Sequence, residues 1–140
     1  IGSFATANSG FDLIREGVSY RCEPSDEGLD RKEVAKCISD LKFRYSDELV
    51  GVICKGARNQ APVKCANELK NRFEDKVAAH ICSGAQTEFP AKCANELKFR
   101  FTEEVIVGVC QRARSDENAK CANEQKFRLP DEQIAKVCGN

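Results

Sequence analysis

The chain has 140 residues, enough for one ordinary domain, and its 22 Lys and Arg balance its 22 Asp and Glu. A formal net charge of zero provides no strong field to hold nucleic acid or an anionic membrane, and no apolar run approaches the roughly 18 residues of a membrane span. Nine cysteines with one histidine do not make a zinc site, which needs closely spaced Cys or His pairs. They point to disulfides, and so to an oxidising, extracytoplasmic compartment (secreted, periplasmic or lumenal).

Ile1 is not a methionine, so the chain is expected to be processed or cut from something longer, with any targeting signal upstream. Residues 1–30 form an N-terminal segment outside the repeats that follow. After a Gly- and Ser-rich start comes a modest apolar cluster, Phe11, Leu13, Ile14, Val18 and Tyr20, expected to lie across the first repeat as a cap. Glu23 to Gly28 is expected to be a loop, punctuated by Pro24 and Gly28.

From Asp30 onward the chain repeats itself. KCISDLKFRY, KCANELKNRF, KCANELKFRF and KCANEQKFRL begin at Lys36, Lys64, Lys92 and Lys120, 28 residues apart each time. A fixed period held through four units marks a stacked array. The units run over about 31–58, 59–86, 87–114 and 115–140. Asp30 and Glu33 have capping-box spacing, so the first helix is expected to start there. Pro62 and Pro90 suit the first turn of the equivalent helices; Asn118 takes that place in the fourth unit, with Asp116 as a cap. In this first helix of each unit, helix A, Cys93, Ala94, Leu97 and Phe101 fall on one arc at 100° per residue. Lys92, Glu96 and Arg100 form a stripe beside it, predicted to be a ladder of i,i+4 ion pairs. After a tight turn, Ser46 and Thr102 are natural N-caps for helix B, and Pro130 suits its first turn. Acidic residues follow, as favours a helix start. Apolar residues three and four apart then mark a helix in each unit, as in Val105, Ile106, Val109 and Cys110. The fold class is all-α: four helical hairpins, each of two helices of about three turns, stacked like a solenoid.

Each hairpin carries two cysteines 17 positions apart: Cys37 and Cys54, Cys65 and Cys82, Cys93 and Cys110, Cys121 and Cys138. They lie about equally far from the turn, so facing Cα atoms of an antiparallel pair fall roughly 4–6 Å apart, inside the disulfide window. A competing scheme is as symmetric about the loops between units: Cys54 with Cys65, Cys82 with Cys93, Cys110 with Cys121, Cys22 with Cys37, and Cys138 free. The within-hairpin scheme is preferred because it leaves no loose thiol near the end. It leaves Cys22 over, as a buried thiol, the partner of a cysteine upstream, or an intermolecular link.

Phe43, Phe99 and Phe127 occupy the same place in three units, with Asn71 in the other. The position points away from the Leu97 face and is expected to pack against the neighbouring repeat or under a loop. Its alternative, an exposed aromatic ridge, is the best candidate for partner binding. His80 is expected on the outer side of helix B, solvated. No catalytic constellation, metal ligand set or cofactor motif is present in the sequence.

The unit KCANELKFRFTEEVIVGVC resembles repeats in uncharacterised secreted cysteine-repeat proteins of bacteria, cyanobacteria especially, over Lys36 to Cys138. The resemblance implies export; Gln125 and the Leu129–Pro130 turn depart from its pattern. The favoured function is a non-catalytic exported scaffold or adaptor that binds a protein partner, as a subunit of a larger assembly. The alternative is a self-assembling structural subunit of a fibre or sheath, linked by Cys22 or by end-to-end stacking. An enzyme or small-ligand carrier is less favoured.

Overall fold

A computed structural model describes residues 24–139, with side chains from Arg31 onward. Among these residues there are eight helices in four antiparallel pairs: α1 (Pro24–Leu41) with α2 (Asp47–Cys54), α3 (Ala61–Leu69) with α4 (Asp75–Cys82), α5 (Phe89–Leu97) with α6 (Glu103–Cys110), and α7 (Glu117–Gln125) with α8 (Asp131–Cys138). The A helices α1, α3, α5 and α7 pack on one another in sequence, and so do the B helices α2, α4, α6 and α8. The hairpins therefore stack as repeats, with every A–B turn on the same edge. None of the described helices is long and apolar enough to cross a membrane.

Helix α1 begins at Pro24, so the start expected at Asp30 is corrected, as is the loop expected at Glu23–Gly28 from Pro24 onward; Glu23 lies outside the described residues. A proline in the first turn needs no N–H donor, and a single internal glycine costs only about 1 kcal/mol against alanine. The other A helices have nine residues and the B helices eight, shorter than the three turns expected. Ser46 and Thr102 cap α2 and α6, their hydroxyls accepting from the Leu49 and Val105 N–H groups. Pro130 stands just before α8, and Asp116 just before α7 without a side-chain cap bond. There Ser115 Oγ accepts from the Glu117 N–H instead.

Helices of this length do not persist alone in water, so the hairpin has to be held by its core. Disulfides join Cys37–Cys54, Cys65–Cys82, Cys93–Cys110 and Cys121–Cys138, with Cα atoms 5.4 to 5.7 Å apart. This is the within-hairpin pairing, and the scheme across the inter-unit loops is excluded. Leu41, Leu69 and Leu97 from the A helices and Ile53, Ile81 and Val109 from the B helices are fully buried around the sulfurs. Four intramolecular disulfides place the fold in an oxidising environment.

The stripe beside the core is not an i,i+4 ladder. Asn95 Nδ2 donates to Glu68 (2.7 Å) and Asn123 Nδ2 to Glu96 (3.2 Å), each across a unit boundary. Lys92 turns back to Glu88 at 3.3 Å. Stacked A helices bring a side chain of the next unit closer than the charge one turn along, and exposed i,i+4 pairs are too weak to resist.

Candidate functional site

The edge where A turns into B repeats one chemical pattern. A lysine ends each A helix: Lys42, Lys70, Lys98 and Lys126. The last three reach back into the preceding unit. Lys70 Nζ donates to the Arg44 carbonyl at 2.5 Å and sits 4.5 Å from the centre of the Tyr45 ring. Lys98 makes the same two contacts with the Arg72 carbonyl and Phe73, and Lys126 with Arg100 and Phe101. The aromatic residues Tyr45, Phe73 and Phe101 are buried, so each ammonium closes the core of the unit before it. Tyr45 adds a buried bond from its hydroxyl to the Ala66 carbonyl, 2.7 Å. Burial, and secondarily the Asp75 carboxylate, push its pKa up to about 12. None of these lysines stands out in the sequence as a candidate site residue. Their strict recurrence was the available signal, but which neighbour they reach depends on how the units stack.

Phe43, Phe99 and Phe127 lie one residue beyond these lysines and do not pack against the neighbouring repeat. They are 90, 92 and 91% exposed, which overturns the expectation of burial and leaves the ridge. The cause is the turn. At Leu97–Arg100 the chain makes a type II turn: the Arg100 N–H bonds to the Leu97 carbonyl at 3.0 Å, Lys98 has φ −58° and ψ 137°, and Phe99 has φ 73°. Leu97 and Phe101 point into the core, so the residue at the third place of the turn is thrown outward. The second unit makes the same turn with Asn71 at φ 70°. Asparagine tolerates a left-handed backbone; an aromatic residue there is strained. Phe43 and Phe127 have no positive φ, and Lys126 keeps helical angles. Phe99 therefore carries two costs at once, an exposed apolar ring and a left-handed backbone.

Each exposed ring has its own lysine over it, with Nζ 5.1 Å from Phe43, 4.7 Å from Phe99 and 5.7 Å from Phe127. An exposed arginine follows: Arg44, Arg100 and Arg128. The first turn of the B helix then supplies Asp47 and Glu48, Glu103 and Glu104, or Asp131 and Glu132. With units about 8–10 Å apart, Phe99 and Phe127 are neighbours and Phe43 stands roughly two steps away.

The rest of the surface offers less. A shallow groove of about 540 Å³ runs between α3 and α5, bordered by Gln60, Lys64, Glu68, Thr87 and Phe89. Among the described residues no three His, Cys, Asp or Glu side chains converge as a metal site would require. His80 is exposed, its Nδ1 2.8 Å from the Lys76 carbonyl of its own helix. Cys22, the candidate intermolecular thiol, lies outside the described residues, as does the apolar cluster of the expected cap. Comparison of the chain with protein-family models, curated proteins and solved structures finds no match. Any functional assignment therefore rests on the geometry of this edge.

Proposed function

We propose that the chain is a non-catalytic, exported helical-repeat scaffold or adaptor, a subunit of a larger extracytoplasmic or lumenal assembly. Phe43, Phe99 and Phe127 anchor its protein partner. The observation that carries this reading is the recurrence of a ring more than nine-tenths open at Phe99 and Phe127 and 90% open at Phe43, one of them held in a strained backbone. Single exposed apolar residues are ordinary. The same exposed ring at the same place in three of four units, kept against a stability cost at Phe99, has the character of an anchor set. Stacked repeats present such anchors at fixed spacing on a stiff support. The disulfides support export, since they persist only where thiols are not kept reduced.

The test is photo-crosslinking. A benzophenone side chain at position 43 is expected to give discrete protein adducts in the compartment to which the chain is exported. These adducts are expected to disappear when Phe99 and Phe127 are both serine. Diffuse labelling that ignores the serine changes, or no adduct, refutes the reading.

A further inference from the structure

We infer that the partner of the aromatic ridge is a second copy of this chain, docked edge to edge with the two arrays parallel and in register. The inference rests on the ridge being a binding surface, as proposed above, and names what it binds. Charge across the edge is the first argument. In the first, third and fourth units, lysine at the end of the A helix and arginine in the turn flank the phenylalanine, and two acids open the B helix. Each such unit is locally neutral. A neutral edge does not select an anionic membrane or a nucleic acid, both of which require excess positive charge. It does fit a copy of itself under one symmetry. A two-fold axis running along the array places the A side of one edge against the B side of the other, so Arg100 faces the partner's Glu104 and ring meets ring. An axis across the array would set like charges together.

The second unit supplies an internal comparison. It has Asn71 in place of the phenylalanine and Lys76 in place of the second acid of the B helix; its acids are Glu74, at the N-cap, and Asp75, which Lys70 holds at 3.0 Å. The ring and the acid at the second place of the B helix, Glu48, Glu104 or Glu132 against Lys76, are thus present together or missing together. That is what a surface using both requires, and a general apolar patch would not link them. Size is the third argument. Three phenylalanines at 150–250 Å² each, with the arginines between them, approach the roughly 800 Å² per partner of a standard interface. Zero net charge leaves no long-range repulsion between copies. The parallel register also sets Asn71 opposite the second copy's residue 71.

Sedimentation equilibrium of the full oxidised chain tests this, with Cys22→Ser present throughout so that no disulfide through that thiol can mimic the dimer. A dimer of twice 15.5 kDa is expected to appear as concentration rises through the micromolar range. Phe99→Ser with Phe127→Ser should weaken it at least about tenfold, as loss of hot-spot anchors does. The helical signal should be unchanged, because neither ring is part of the core. Arg100→Glu should also weaken it, and adding Glu104→Arg should restore it. Asn71→Cys should form an interchain 71–71 disulfide. A monomer at every concentration, a dimer indifferent to the serine pair, or a charge swap without recovery overturns the inference. A monomer that still gives ridge-dependent adducts with a different protein overturns the second copy alone; a monomer without adducts overturns the binding surface as well.

Discussion

Replacing Phe99 with asparagine separates strain from function at one residue. The native ring is 92% exposed and its φ is 73°. A left-handed backbone costs an ordinary residue about 1–2 kcal/mol, and asparagine tolerates it at little cost. The change forfeits the exposed contact with Lys98, 4.7 Å from the ring centre, worth about 0.5 kcal/mol. Lys98 keeps its hold on Phe73 and the Arg72 carbonyl. The net expectation is a gain of about 1 kcal/mol. With an unfolding entropy near 2.1 cal/mol/K per residue, that raises Tm by about 3 °C for a chain of this size. The same substitution at Phe43 and Phe127 is an internal control. Those residues have no positive φ, so they should show no gain. The assay is thermal and guanidinium unfolding of the oxidised protein by circular dichroism, dilute enough that association does not contribute. Phe99→Asn should meanwhile lose ridge binding, trading function for stability. A loss of stability at Phe99, or equal effects at all three positions, would refute the strain argument.

Arg112→Gly should stabilise by a similar ~1 kcal/mol in the same unfolding assay, because Arg112 has φ 66° where Gly56 and Gly84 stand in the first two units. Lys98→Met, which leaves the Arg72 carbonyl without the ammonium and uncovers Phe73, should cost about 1–2 kcal/mol by guanidinium unfolding. Tyr45 has a folded pKa of about 12, above its ordinary 10, so its contribution is complete below pH 10 and is lost as the pH climbs through 10 toward 12. Tyr45→Phe, lacking the bond to Ala66, should be slightly less stable at pH 7 and should lack that part of the alkaline loss, as seen in matched pH titrations of stability. Removing one staple with Cys93→Ala and Cys110→Ala, which are 17 positions apart, should cost about 3 kcal/mol on chemical unfolding.

Much of the array could be read directly from the chain. The period of 28 residues and the antiparallel hairpins follow from local rules, apolar spacing and caps at Ser46 and Thr102; the cysteine pairing does not, because each cysteine is as well placed about the loop between units as about the turn within one. Phe43, Phe99 and Phe127 could be picked out by recurrence, but their burial was misjudged. The helical wheel already pointed them away from Leu97; burial was inferred from residue type alone, and nothing from the neighbouring unit reaches over the turn that follows Leu97 to cover them. The lysines that hold one unit to the next were missed for a related reason. Their targets are a backbone carbonyl and a ring in the preceding unit, 25 to 26 positions back, and no local pattern records such a pairing.

Local order alone therefore decided the number of helices and where they turn, because these depend on interactions within one hairpin; which thiols pair was decided by the tertiary structure. Stacking decided what is open to solvent. Val137 is 58% exposed, while Ile53, Ile81 and Val109, at the same place in the first three units, are fully buried. The residue type at this position is much the same in all four units; the difference is the following unit packed against it. Burial in a repeat array is created at the interface between units, and that interface exists only once they are assembled.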